Sequence, residues 1–273
     1  MAEKRKKRHS ADELRPGEKL IDIDENFVAS VSAEFNKRKR PGKKRVMIGS
    51  LTLTMVPQEA YGTHCSNFYQ LGRDHPEYDF SLVTPRRMSI ADMRNMVVKL
   101  AIIGDFDYLY FFDDDTINDR DVLGRLLPRM EEFNAVSAGY FVRGYPFNPM
   151  VFRWAGRNGH KAMRLYKWNE YKKHIDKDGV LRHRVGGLGC GCTLFRLADF
   201  KEVPYPWFWS GHGHTEDAWW FTQAHKHIKD YKVGMDFNIA CGHLCNPVYV
   251  DQLNVDVVRR FHRQLLKSGG MSQ

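Results

Sequence analysis

The sequence predicts an α/β fold, a mixed and mostly parallel sheet flanked by helices, and three observations carry that prediction. Apolar β-rich runs alternate with helix-period segments over residues 46–142, the pattern of strand–helix–strand units that feed a parallel sheet. Those runs are short and are bounded by charge, Pro or Gly, as buried strands are. Finally, the run "DYLYFF" opens directly onto Asp113, Asp114 and Asp115. Sheets of this kind bind ligands off the carboxyl ends of their strands.

Taken in order, residues 1–19 read as a basic tail, residues 20–40 hold a helix around "ENFVASVSAEF", and "KRKRPGKKR" is a linker. The first strand is "RVMIGSLTLTM", flanked by charge and Pro57, and the second is "YDFSLVT", ended by Pro85. "SIADMRNMVVKLAII" is a helix with Ser89 as N-cap and Gly104 as stop. After the acids come a helix over "DRDVLGRLLPRMEEF" and a strand over "AVSAGYFV". Residues 153–187 are charged and aromatic with few clean periods, and read as a hairpin-like excursion. "GGLGCGCTLFRLADF" returns to strand character, "TEDAWWFTQAHKHI" is helical, and "KVGMDFNIACGHL" is a strand reaching His243. "DVVRRFHRQLLKSGG" is a basic amphipathic helix stopped by glycines. The division expected is an extension over 1–45 and one domain over 46–273, with halves at 46–142 and 143–250 and a last helix in 251–273.

A hydrophobic fraction of 42% and 13% aromatics over 273 residues suffice for a packed core. The net charge of +9 is uneven: residues 1–45 carry 14 Lys/Arg against 8 Asp/Glu, about two thirds of the excess. No apolar segment of signal-peptide type follows the basic start, and no run is long enough for a membrane span. Five cysteines, an odd number, fit reduced thiols and a cytoplasmic setting.

Chemistry concentrates in four places. An Asp-x-Asp at a strand end offers hard oxygen ligands for Mg²⁺ or Mn²⁺ alongside substrate phosphates, although such a turn can equally be a solvated loop. Glu216 and Asp217 open a helix whose dipole favours carboxylates; they are either a plain helix start or a general base aimed into a cleft. Beside them, Trp207 and Trp209 offer flat faces for sugars or bases, and Gly211 and Gly213 permit a mobile loop. His243 at a strand end is either a satisfied polar residue or a further metal ligand. Cys190, Cys192, Cys241, His243 and Cys245 could assemble zinc, but lack the usual Cys-x₂-Cys spacing.

In sequence order, "RVMIGSLTLTM", "ADMRNMVVKLAI", "YLYFFDDDT", "VGGLGCGCTLFR", "TEDAWWFTQA" and "CGHL" resemble the GT-A glycosyltransferases of the broad family-2-like group over residues 45–245. The resemblance implies a GT-A (Rossmann-like) sheet, a nucleotide-sugar donor with a UDP-sugar first among candidates, and Mn²⁺ or Mg²⁺. It places the nucleotide-sugar near Ser50, Thr52, Arg94, Asn95 and Asp114. It assigns metal contacts to Asp115, Asp113 and His243, with Asp113 alternatively meeting the ribose. It makes Asp217, with Glu216 beside it, the base of an inverting transfer, and sets the acceptor against Trp209, Trp219 and Gly187. "SLTLT" replaces the usual Pro-x-Tyr/Phe-Asn turn of the family, a departure at the nucleotide end.

For the acceptor, the basic arms suit a polyanion. One reading is the bacteriophage type of DNA glycosyltransferase, acting in host cytoplasm on a hydroxymethylated pyrimidine flipped from the stack. The others are a saccharide, lipid-linked or protein acceptor. From other classes, a metal-dependent nuclease, a nucleotidyltransferase or a non-catalytic nucleic-acid-binding module would each use part of the same pattern.

Overall fold

The structure is a computed structural model that describes residues 25–52, 55–155, 162–211, 214–245, 248–250 and 255–267. The basic tail expected over 1–19 and the loop glycine Gly213 lie outside the described residues.

The first half runs α1 (Glu25–Lys37), β1 (Lys44–Leu51), α2 (Gln58–Asp74), β2 (Tyr78–Val83), α3 (Ile90–Ile103) and β3 (Tyr108–Asp113). It continues with β4 (Thr116–Asn118), α4 (Val122–Leu126) and β5 (Ala135–Gly139). The second half holds β6 (Val151–Ala155), β7 (Ala162–Leu165), β8 (Val180–Leu181), β9 (Val185–Leu188), β10 (Cys192–Arg196) and α5 (Asp199–Glu202). Last come α6 (Glu216–His227), β11 (Val233–Cys245), β12 (Val248–Val250) and α7 (Val255–Lys267).

The main sheet has the order β12-β11-β5-β10-β3-β1-β2, with β4 and β8 pairing β11. β1 runs parallel to β2 and β3, and β11 parallel to β5, while β10 lies antiparallel between β3 and β5. The sheet is therefore mixed, as expected. The excursion after β5 is a second, three-stranded sheet of β7, β6 and β9.

Close packing explains local sequence choices. Gly49 sits mid-strand because a Cβ there would lie 2.8 Å from Phe111 and 3.0 Å from Val97 of the covering α3. Ser89 caps α3 by accepting the Asp92 N–H at 3.1 Å, one of the donors a helix start leaves without a partner. Arg45 is buried against Asp79 and the carbonyls of Phe35 and Gly104, which docks the end of α1 onto the core.

Two elements differ from expectation. The 17-residue α2 had no signal in the sequence, since its buried face includes His64, Asn67 and Gln70 beside Ala60 and Leu71. Buried polar groups erase the apolar period on which helix recognition rests. The glycine-rich run was read as one strand, but it is two, β9 and β10, broken at Gly189–Gly191. That break passes over the end of β3, where the Asp113 N–H donates to the Gly191 carbonyl at 3.0 Å.

Candidate active site

Four elements bring charged side chains to the carboxyl edge of the sheet. Parallel register sets Leu51, at the end of β1, beside Asp113, at the end of β3. β11, after an irregularity between Asp236 and Ala240, turns to pair with β4 and sets His243 opposite Thr116. α3 contributes Arg94 and the first turn of α6 contributes Glu216 and Asp217.

Arg94 is the hub. It is 1% exposed, and its guanidinium lies 3.2 Å from Asp113, 3.6 Å from Glu216 and 3.7 Å from Asp217. Burial works against its charge, but Asp113, Cys190, Asp217 and Glu216 outweigh it and raise its pKa. A cation was thus already present among the carboxylates, in a residue the sequence reading had set against the nucleotide. The Glu-Asp pair and the acidic turn, more than 100 residues apart in the chain, share one counterion.

The acids have separate environments. Burial pushes the Asp113 carboxyl up and Asp115's charge adds to this, against the pull of Arg94. Asp115 goes the other way: burial opposes its charge, but the hydrogen bond and charge of His243, with Arg143, hold it below the usual range. Arg143 Nη1 lies 2.7 Å and His243 Nε2 3.4 Å from the Asp115 carboxylate. Asp217 is pushed up to about 7 by burial first and then by Glu216, against Arg94 and the Cys190 thiol. Its buried Oδ1 has no hydrogen-bond partner.

Would these residues hold a metal ion? His243 Nδ1 lies 2.8 Å from the Phe141 carbonyl, which can only accept, so Nδ1 carries the proton. Nε2 is left facing the Asp115 carboxylate, and a backbone bond on the other ring nitrogen is the support that metal-ligating histidines have. Asp115 and His243 fit a cation. Asp113 does not join them, because it turns to Arg94. Among the described residues, no group of three or more His, Cys, Asp or Glu is placed to hold an ion.

Other expectations are reassigned. Asn95 is buried, and its side chain clamps the Phe208 backbone, donating at 2.8 Å and accepting at 3.0 Å; it holds the α6 approach loop instead of a nucleotide. Gly187 is buried under Phe221, whose ring carbon a Cβ would meet at 2.9 Å, so it offers no face to an acceptor. Trp219 is 7% exposed and spends its N–H on the Pro206 carbonyl at 3.1 Å. Trp209, half-buried, lies 5.2 Å from it between ring centroids and keeps the outer position. Ser50 is buried in β1, whereas Thr52 is half-buried and bridges Arg86 at the strand ends. Asp114 lies half-buried in the turn between β3 and β4. Of the cysteines expected at a zinc site, Cys192 and Cys241 both reach Asn118 Oδ1, at 3.6 and 3.3 Å, and the Cys245 side chain lies outside the described residues.

Sequence reasoning missed Arg143 and His64. His64 is buried, and its Nε2 donates to the Thr116 carbonyl at 2.8 Å, which braces the turn after the acids. It lies in α2, whose helical period was not visible. Arg143 follows a strand end by four residues, a position in which any loop residue can approach the site.

Residues 84–203 match the model of glycosyl transferase family 2. Over that segment the chain is similar to glycosyl transferase family 2, which supports the glycosyltransferase reading over the nuclease, nucleotidyltransferase and plain binding-module ones. The matched segment holds Arg94, the acidic turn and the glycine-rich break, and ends before Glu216, Asp217 and His243. No relative was found among curated proteins. Among solved structures, the chain resembles A197 from STIV at 18% identity and TM-score 0.48, over 73% of this chain and 85% of that one. It resembles S. aureus TarS 1–349, in complex with UDP-GlcNAc, at 12% identity and TM-score 0.39, over 76% and 57%. A third is 4-diphosphocytidyl-2C-methyl-D-erythritol synthase from Anaerococcus prevotii, at 8% identity and TM-score 0.40, over 81% and 97%. Likenesses at this level carry no functional argument. Among the described residues, no helix is long and apolar enough to cross a membrane.

Proposed function

We propose that this enzyme moves a sugar from a UDP-sugar to an acceptor hydroxyl with inversion, using Asp217 as general base. The observation that carries the reading is the shared Arg94, within 3.7 Å of both the acidic turn and the Glu-Asp pair. Donor and acceptor chemistry then meet at one strand-end cluster. Residues 46–142 serve the donor, 143–250 the acceptor.

The Asp217 carboxyl, at about 7, is matched to proton transfer near neutral pH. The proton passes from that hydroxyl to Asp217 as the acceptor oxygen bonds the anomeric carbon and the nucleoside diphosphate leaves. Arg94 holds the carboxylate in place. Asp115 and His243 would hold a divalent cation, Mn²⁺ suiting the mixed oxygen and imidazole set better than Mg²⁺; when bound it neutralises charge on the leaving diphosphate. Four free thiols among the described residues support a cytoplasmic setting.

For the acceptor, the half-buried Trp209 supports a flat partner, met by a pyrimidine base or a pyranose face alike. Hydroxymethylated DNA and a saccharide are therefore the two arms of one assay with UDP-sugars and Mn²⁺, read by mass gain on each acceptor. Asp217→Asn should lower transfer about 10²–10⁴-fold on the acceptor that works, while UDP still binds. Full transfer by that variant would contradict the assignment.

A further inference from the structure

Tyr140, the residue after β5, has no role in the reading above. Its ring is 2% exposed and stands edge-on to His243, 5.8 Å between centroids. Its hydroxyl oxygen accepts the Gly191 N–H at 2.9 Å. The carbonyl of that same peptide, belonging to Cys190, accepts from Arg94 Nη1 at 3.4 Å. Both polar groups of one peptide are thus held by buried side chains.

That peptide lies between the two halves of the site. On one side the Gly191 carbonyl accepts the Asp113 N–H at 3.0 Å. On the other, the Arg94 guanidinium that holds the Cys190 carbonyl lies 3.7 Å from Asp217. A shift of the segment therefore moves the acidic turn and the base relative to each other.

The glycines make the arrangement possible. A Cβ at Gly189 would lie 2.4 Å from the Tyr140 hydroxyl, and one at Gly191 would lie 3.1 Å from it and 3.0 Å from Asp113 Oδ2. Only bare positions let the phenol reach the peptide. Having accepted from Gly191, the hydroxyl still has its own proton to donate, and Asp113 Oδ2 borders the same spot above Gly191.

We propose that Tyr140 is a positioning residue that fixes the spacing between the acidic turn and Asp217 through the 189–191 segment. This rests on the reading of Asp217 as the base. Removing the hydroxyl frees the segment, and sub-ångström misplacement of reacting groups acts on turnover more than on binding.

The test compares Tyr140→Phe and Gly191→Ala with wild type and Asp217→Asn, measuring kcat, donor KM and calorimetric affinity for UDP with Mn²⁺. Tyr140→Phe should lower kcat about 10–100-fold, with donor KM and UDP affinity within about threefold. Gly191→Ala, whose methyl intrudes between the hydroxyl and Asp113, should show the same split. A kcat within twofold of wild type in both variants overturns the proposal, as does a loss confined to donor KM. Should Tyr140→Phe lose UDP binding altogether, Gly191→Ala decides alone: the split supports the proposal and unchanged kcat overturns it. Full activity of Asp217→Asn would instead overturn the base assignment, whatever Tyr140 does.

Discussion

Asp217 carries opposite consequences for activity and stability. In the proposed role of base it must be ionised, and its carboxyl keeps the proton up to about pH 7. The kcat should therefore rise about tenfold per pH unit below 7 and level off above it. Stability runs the other way. The folded pKa is raised above the unfolded value of about 3.9, so the protonated form is favoured by folding, and that contribution is lost as pH rises through about 7. Asp217→Asn should melt above wild type at pH 8, with the gap closing by about pH 4. A gap that is constant with pH would show that the carboxyl titrates normally. Arg94 is the complementary case. Replacing it with Met leaves Asp113, Glu216 and Asp217 without their buried cation, and should cost about 3–5 kcal/mol in chemical denaturation. A loss below about 1 kcal/mol would mean the carboxylates are balanced from elsewhere.

At the scale of elements, the sequence was readable wherever a face was cleanly apolar. β1, β3 and β5, α3 with its Ser89 cap, and α6 with its acidic start all stand where alternation and capping residues placed them. α2 was invisible because His64, Asn67 and Gln70 lie on its buried side. The roles of glycines were also hidden, since a bare position reads the same whether a ligand or a neighbouring ring needs the space. Gly187 shows this. Its environment is Phe221, so Gly187→Ala should cost about 1–3 kcal/mol through overpacking and leave the acceptor KM unchanged. A raised acceptor KM at unchanged melting temperature would restore it to the binding face.

At the scale of the whole molecule, the candidate site was legible as separate motifs and not as an arrangement. Asp113, Glu216 and Asp217 were chosen for their residue types and neighbours, but nothing in their spacing says that one guanidinium serves all three. That depends on α3 packing over β1, next to β3, while α6 arrives from the far half of the chain. Asp113 pairs with Arg94 at 3.2 Å, while His243 lies 3.4 Å from Asp115. Two neighbouring acids thus part company, one facing a buried guanidinium and the other an imidazole at the mouth of the site.

The central claim is that this strand-end site binds a nucleoside diphosphate with a cation gripped by Asp115 and His243. Calorimetric titration of UDP with Mn²⁺ present, in wild type and in Asp115→Asn, tests it most directly. Saturable heat in wild type, lost or weakened at least tenfold in the variant, is the predicted result. Equal heats in the two proteins, or none in either, would contradict it.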